Sequence, residues 1–151
     1  MSGRRYYLAY GSNLDRKAMA VRCPGARVAG MAVLVDWKLV FKYHADIEPC
    51  EGRAVPVLVW EIGERDEESL DFYEGFPRYY VKKEFSVTMM DLDGKNPVDI
   101  TAMAYVMTEG HFLREPAPSY YRILEDGYES FGFNTHLLEL ALSEARKGGR
   151  A

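Results

Sequence analysis

Several things are scarce in this chain, and each scarcity removes a class of function. There are only two cysteines, Cys23 and Cys50, with neither a CxxC neighbour nor a histidine at ligand spacing. That excludes a disulfide framework and reads as two reduced thiols in a cytoplasmic protein. The three histidines, His44, His111 and His136, are scattered, so no zinc signature and no metal site is expected. Basic charge is not in excess. Residues 1–75 hold 10 Lys/Arg and 12 Asp/Glu and the remainder 9 and 11, a net −2 in each half and −4 in all. A surface without a basic stripe argues against nucleic acid as the partner. No apolar run reaches the length of a membrane span, and the stretch after Arg4-Arg5 is too short for a signal-peptide core.

What is present is the material of a globular core. Hydrophobic residues make up 48% and aromatics 13% of 151 residues, enough for one domain over 1–151. Tyr6–Ala9 reads as a strand that breaks at Gly11 before a helix begins near Asp15. Residues 26–43 read as two adjoining strands, and Arg53–Ile62 as another, with alternation at Val55, Val57 and Val59. Pro56 puts that strand at an edge or a bulge. Asp46–Gly52, with its acids, Pro49 and Gly52, reads as a loop. Asp66–Glu74 reads as a short helix stopped by Gly75 and Pro77, with Asp66, Glu67 and Glu68 at its positive end. Tyr79–Met90 and the alternation Ile100, Ala102, Ala104, Val106 form a hairpin around Asp93-Gly94. Two helices follow, one from Pro118-Ser119 and one from about Thr135 with Asn134 as its cap. The order predicts an α+β fold, largely antiparallel or mixed, with a barrel as one way of closing it.

Two places could carry chemistry. Tyr10-Gly11-Ser12-Asn13, between a strand and a helix, offers main-chain N–H groups and side-chain donors to a carboxylate or phosphate. The same tetrapeptide is also ordinary turn chemistry. Ser12 has no G-x-S-x-G frame and no histidine close in sequence, which argues against a nucleophile. Glu74 lies four residues after Leu70, on the same helical face and at the negative end of the helix. If Leu70 is core, the Glu74 carboxylate is driven to hold its proton and so becomes a general base and acid for neutral pH; otherwise it is a solvated surface residue. Of the paired tyrosines Tyr79 and Tyr80, alternation turns one inward.

Tyr7-Leu8-Ala9-Tyr10-Gly11-Ser12-Asn13-Leu14, Leu70 through Pro77, and Pro118-Ser119-Tyr120 through Gly132 together resemble the γ-glutamylcyclotransferase family, also called AIG2-like, across about Tyr6 to Phe133. The segment Phe76–Tyr80 looks like the bacterial members. The resemblance implies a small mixed β-barrel flanked by α-helices. It implies release of 5-oxoproline from a γ-glutamyl-amino acid or γ-glutamylamine, without a cofactor; the expected partner is a small γ-glutamyl substrate, with no nucleic acid and no membrane, and the oligomeric state is left open between monomer and homodimer. It assigns acid/base work to Glu74 and substrate binding to Tyr7, Tyr10, Gly11, Ser12, Asn13 and Tyr120, with Tyr80 and Tyr105 nearby. Two rivals stand beside it: a silent binding module for a small carboxylate, and a hydrolase that opens γ-glutamyl amides with water.

Overall fold

The computed structural model describes residues 4–148. Five strands form one sheet: β1 (Arg5–Ala9), β2 (Arg27–Lys42), β3 (His44–Ile62), β4 (Tyr80–Met89) and β5 (Val98–Met107), in the order β2-β3-β1-β5-β4. Pairing is antiparallel except between β1 and β5, so the sheet is mixed. The outer strands of that order meet. Met31 and Met90 exchange both main-chain bonds, at 2.8 and 2.9 Å, which joins β2 to the end of β4 and curls the sheet into a barrel. Closure of this kind removes exposed strand edges. Gly30 makes it possible, since a Cβ there would stand 2.2 Å from the Met90 carbonyl oxygen.

β2 is one strand where two were expected. A register shift between Val35 and Trp37 explains the difference: Asp36 takes a left-handed φ of 66° and its carboxylate accepts from the Gly52 N–H at 2.9 Å. The bulge resets which residues face inward, as a chain break would. The expected loop at Asp46–Gly52 is likewise strand, since β3 runs through it from a tight turn at Tyr43. Asp46 tolerates that place because it is buried but fully engaged, accepting from Lys42 Nζ at 2.8 Å and from the Met107 N–H at 2.9 Å. Pro56 pairs with Val33 just past the point where β1 stops at Leu58, an edge-like stretch of an otherwise central strand.

Four helices pack on the barrel: α1 (Arg16–Arg22), α2 (Glu64–Glu74), α3 (Pro118–Phe131) and α4 (His136–Gly148). Asp15 caps α1 by accepting from the N–H groups of Lys17 and Ala18, so the helix starts one residue later than the sequence suggests. Leu124, Tyr128, Leu138, Ala141 and Ala145 bury the inner faces of α3 and α4. α4 lies on β2, and α3 lies on a 3-10 turn at Ser12–Leu14. α2 is anchored by Leu70, which is fully buried, and ends at Gly75 with φ 69°. None of the described helices is long and apolar enough to cross a membrane.

Candidate active site

The β1 strand, the 3-10 turn, α2 and α3 converge at one end of the barrel around a narrow hollow with about 300 Å3 of unfilled space, its mouth included. Its wall consists of Tyr7, Tyr10, Gly11, Ser12, Asn13, Ala45, Glu74, Tyr80, Tyr105 and Tyr120. The structure thus gathers into one cavity every residue singled out from the sequence. Ala45 is the addition, and it belongs to the stretch expected to be a loop.

Local rules explain how each side chain arrives there. Tyr7 lies in β1 beside buried Leu8 and Ala9, where the sheet supports it from both sides through β3 and β5. Tyr80 is the inward member of its pair, buried where Tyr79 is partly exposed. α3 begins at Pro118 and sets Tyr120 two residues into the helix, against the Gly11 turn. A Cβ on Gly11 would lie 3.2 Å from the Tyr120 hydroxyl and 3.5 Å from the Ala45 Cβ, so a side chain there would crowd Tyr120 and shift its hydroxyl by a few tenths of an ångström.

The tyrosine hydroxyls are held by named partners. Tyr10 donates to the Tyr105 carbonyl at 2.6 Å, and Tyr80 to the Ala45 carbonyl at 2.7 Å. Tyr120 accepts from the Ala45 N–H at 3.1 Å. Tyr105 donates to Asp71 Oδ1 at 2.6 Å, and Asp71 also pairs with Lys82. Asn13 donates to the Tyr7 hydroxyl at 2.9 Å, while its main-chain carbonyl accepts from Trp60 Nε1 at 3.1 Å. Burial pushes the ionisation of Tyr7, Tyr10, Tyr80, Tyr105 and Tyr120 well up, so these walls stay neutral at any physiological pH. In the 3-10 turn the closing bonds start from the N–H groups of Leu14 and Asp15, at 3.0 and 3.1 Å. Among the described residues no turn or cap bond starts from the N–H of Ser12 or Asn13. The Ser12 hydroxyl is shared with the Tyr73 hydroxyl at 2.9 Å, not with a histidine.

Glu74 differs from everything around it. Among the described residues its carboxylate makes no hydrogen bond and no ion pair, although it is partly buried and lines the hollow. Burial raises its pKa to about 7, against a smaller lowering by Arg22. Its charge is felt at Tyr7, Tyr10, Tyr80 and Tyr120. A carboxyl group in that state can both take and return a proton near neutral pH.

Three neighbours of the hollow were not legible in the sequence. Arg22, at the end of α1, hydrogen-bonds the Asn13 side-chain oxygen and lies over the Tyr73 ring, 3.5 Å from its centroid. Tyr73 closes that triangle through Ser12, and Asp71 fixes Tyr105 from behind. No motif marks them. The nearest signal was the i, i+3 spacing of Asp71 and Glu74, which places both on the barrel side of α2.

A family model described as Gamma-glutamyl cyclotransferase, AIG2-like, matches residues 7–129. The gamma-glutamylcyclotransferases of Bos taurus and Homo sapiens are each 32% identical over 139 residues, covering 83% of this chain and 71% of theirs. A solved structure named Gamma-glutamyl cyclotransferase is 29% identical and superposes with a TM-score of 0.71 over 91% of this chain and 86% of its own. The crystal structure of an uncharacterized Homo sapiens protein, 28% identical, superposes with a TM-score of 0.73 over 92% and 86%.

Proposed function

The chain belongs to the gamma-glutamyl cyclotransferase, AIG2-like family, and from that membership and the chemistry of the hollow we propose that it releases 5-oxoproline from a γ-glutamyl amide, with Glu74 as base and then acid. The observation that carries this reading is the partnerless Glu74 carboxyl, poised at about 7 in a cavity otherwise lined by neutral tyrosines and a main-chain turn.

The chemistry asks for few parts. The substrate's α-ammonium must lose a proton before its nitrogen can attack the γ-carbonyl carbon. Glu74 takes that proton. The new N–C bond closes a five-membered ring and places negative charge on the former carbonyl oxygen. Donors in the Gly11–Asn13 turn suit that oxyanion or the α-carboxylate. As the tetrahedral centre collapses, the old C–N bond breaks, the departing amine takes the proton held by Glu74, and the ring nitrogen gives up its second proton, which leaves with the amine as its ammonium ion. Both reacting atoms belong to one molecule, so a hollow that holds the glutamyl chain bent supplies much of the acceleration. Neither a nucleophilic side chain nor a cofactor enters this sequence of steps.

The test is product analysis with a panel of γ-glutamyl-amino acids and γ-glutamylamines. The reading expects 5-oxoproline and free amine in equal amounts from the wild type, and their loss in a folded Glu74→Gln variant. Glutamate in place of 5-oxoproline would indicate hydrolysis. Ligand binding without any turnover would indicate a binding module.

A further inference from the structure

A second cleft, with about 1580 Å3 of unfilled space, open solvent included, has Lys42, Tyr43, Tyr79, His111, Leu113 and Arg114 in its wall. A row of rings connects the two spaces. Tyr120 lines the hollow, the His44 ring lies 5.2 Å from it, and the Tyr79 ring lies 5.8 Å beyond His44. The Tyr79 hydroxyl is 3.0 Å from His44 Nδ1. None of the three rings is fully buried.

The cations of the cleft differ in how they are used. Lys42 is neutralised by Asp46 at 2.8 Å and Glu48 at 2.9 Å. Arg146 is neutralised by Glu115 at 2.5 Å. Arg114 has no carboxylate partner among the described residues. It is nonetheless held in place. Its N–H donates to the Phe41 carbonyl and its carbonyl accepts from the Tyr43 N–H, both at 3.0 Å. Its guanidinium lies over the Tyr43 ring, 4.5 Å from the centroid. Tyr43 itself has a φ of 71°, a conformation that a bulky residue adopts at a cost and that a glycine would take freely. The guanidinium is exposed, rests on a ring and has no carboxylate partner among the described residues, so it is free to receive a carboxylate.

We propose that this cleft is the subsite for the leaving amine, and that Arg114 selects γ-glutamyl substrates whose amine portion carries an anionic group several bonds from its nitrogen. The inference rests on the cyclotransferase reading above. The His44 and Tyr79 rings stand between Tyr120 and the cleft, so an anionic group that meets Arg114 has to reach past them.

The experiment measures kcat/KM for 5-oxoproline release from γ-glutamyl conjugates of glycine, 4-aminobutyrate and 6-aminohexanoate, each paired with its terminal carboxamide. The wild type is expected to favour carboxylate over carboxamide by about fivefold or more for the longer conjugates, the scale of one charge-assisted hydrogen bond. The glycine pair should differ little, and the preference should shrink as salt is raised. In Arg114→Gln the ratio should fall to near one, and Arg114→Lys should restore part of it. Turnover with no carboxylate preference in the wild type, or a preference that survives Arg114→Gln, overturns the subsite and leaves the cyclotransferase reading standing. Absence of 5-oxoproline from every conjugate overturns both.

Discussion

Helix α2 carries a buried acid at its start and a partly buried acid near its end, and the two are treated in opposite ways. Asp66 is buried and fully answered: its carboxylate accepts from the Gly63 N–H at 3.0 Å and the Gly25 N–H at 3.1 Å, at the positive end of the helix. Glu74 sits at the negative end, with no donor turned toward it, and its pKa rises to about 7. Both are carboxylates eight residues apart on the same helix. The first is a cap that ties α2 to the segment after α1. The second is left without partners among the described residues, although fully buried Leu70 lies between the two on the same helix.

Substitution can break or sharpen this contrast. The largest effect is expected at Glu74, where Glu74→Gln should lower turnover by about a thousandfold or more, within the usual range for general acid–base groups, with circular dichroism unchanged. Asp66→Ala should act on the other side of the contrast. Leaving two N–H groups without an acceptor costs about 3 kcal/mol, seen as a lower midpoint in urea, while the pH dependence of turnover keeps its position. A shifted pH profile in that variant would show that the two acids are not independent.

The next effect is smaller and has a defined sign. Glu74 holds its proton more tightly in the folded chain, at about 7, than in the unfolded chain, at 4.5. Between those values the folded state binds more protons, so Glu74's contribution to stability falls as pH rises through this window. Glu74→Gln removes the penalty. It should raise the melting temperature by roughly 5 °C at pH 8, for a relief on the order of 2 kcal/mol, and by almost nothing at pH 4.5. The smallest effect is at Arg22. Its charge lowers the Glu74 pKa, so Arg22→Gln should move the acid limb of kcat/KM to higher pH. A limb that moves down would remove Arg22 from the electrostatics of the site.

Much of this was readable before any coordinates. The Leu70–Glu74 spacing placed the acid on the buried face because a helix repeats every 3.6 residues, and the Gly75 stop fixed where that face ends. The turn at Gly11 announced itself by breaking an apolar strand. What was not readable depended on distant partners. Asp46 and Glu48 look like loop residues, yet Lys42 and the Met107 N–H make strand of their segment. Asp36 hides a bulge inside what reads as two strands. Arg22 and Tyr73 meet across α1 and α2, and Asp71 meets Tyr105 from another strand, contacts that no local pattern encodes. Barrel closure through Met31 and Met90 likewise depends on an absent side chain at Gly30.

The direction of the tyrosine hydrogen bonds has one more consequence. Tyr10 and Tyr80 spend their protons on the Tyr105 and Ala45 carbonyls, so what they turn toward the hollow is oxygen lone pairs. Tyr120 is bonded the other way round, accepting from Ala45, and keeps a proton to give. Tyr10 and Tyr80 therefore suit a cation, whereas Tyr120 and the Gly11–Asn13 turn suit an anion. A zwitterion such as the glutamyl head group of the proposed substrate has an orientation that answers both.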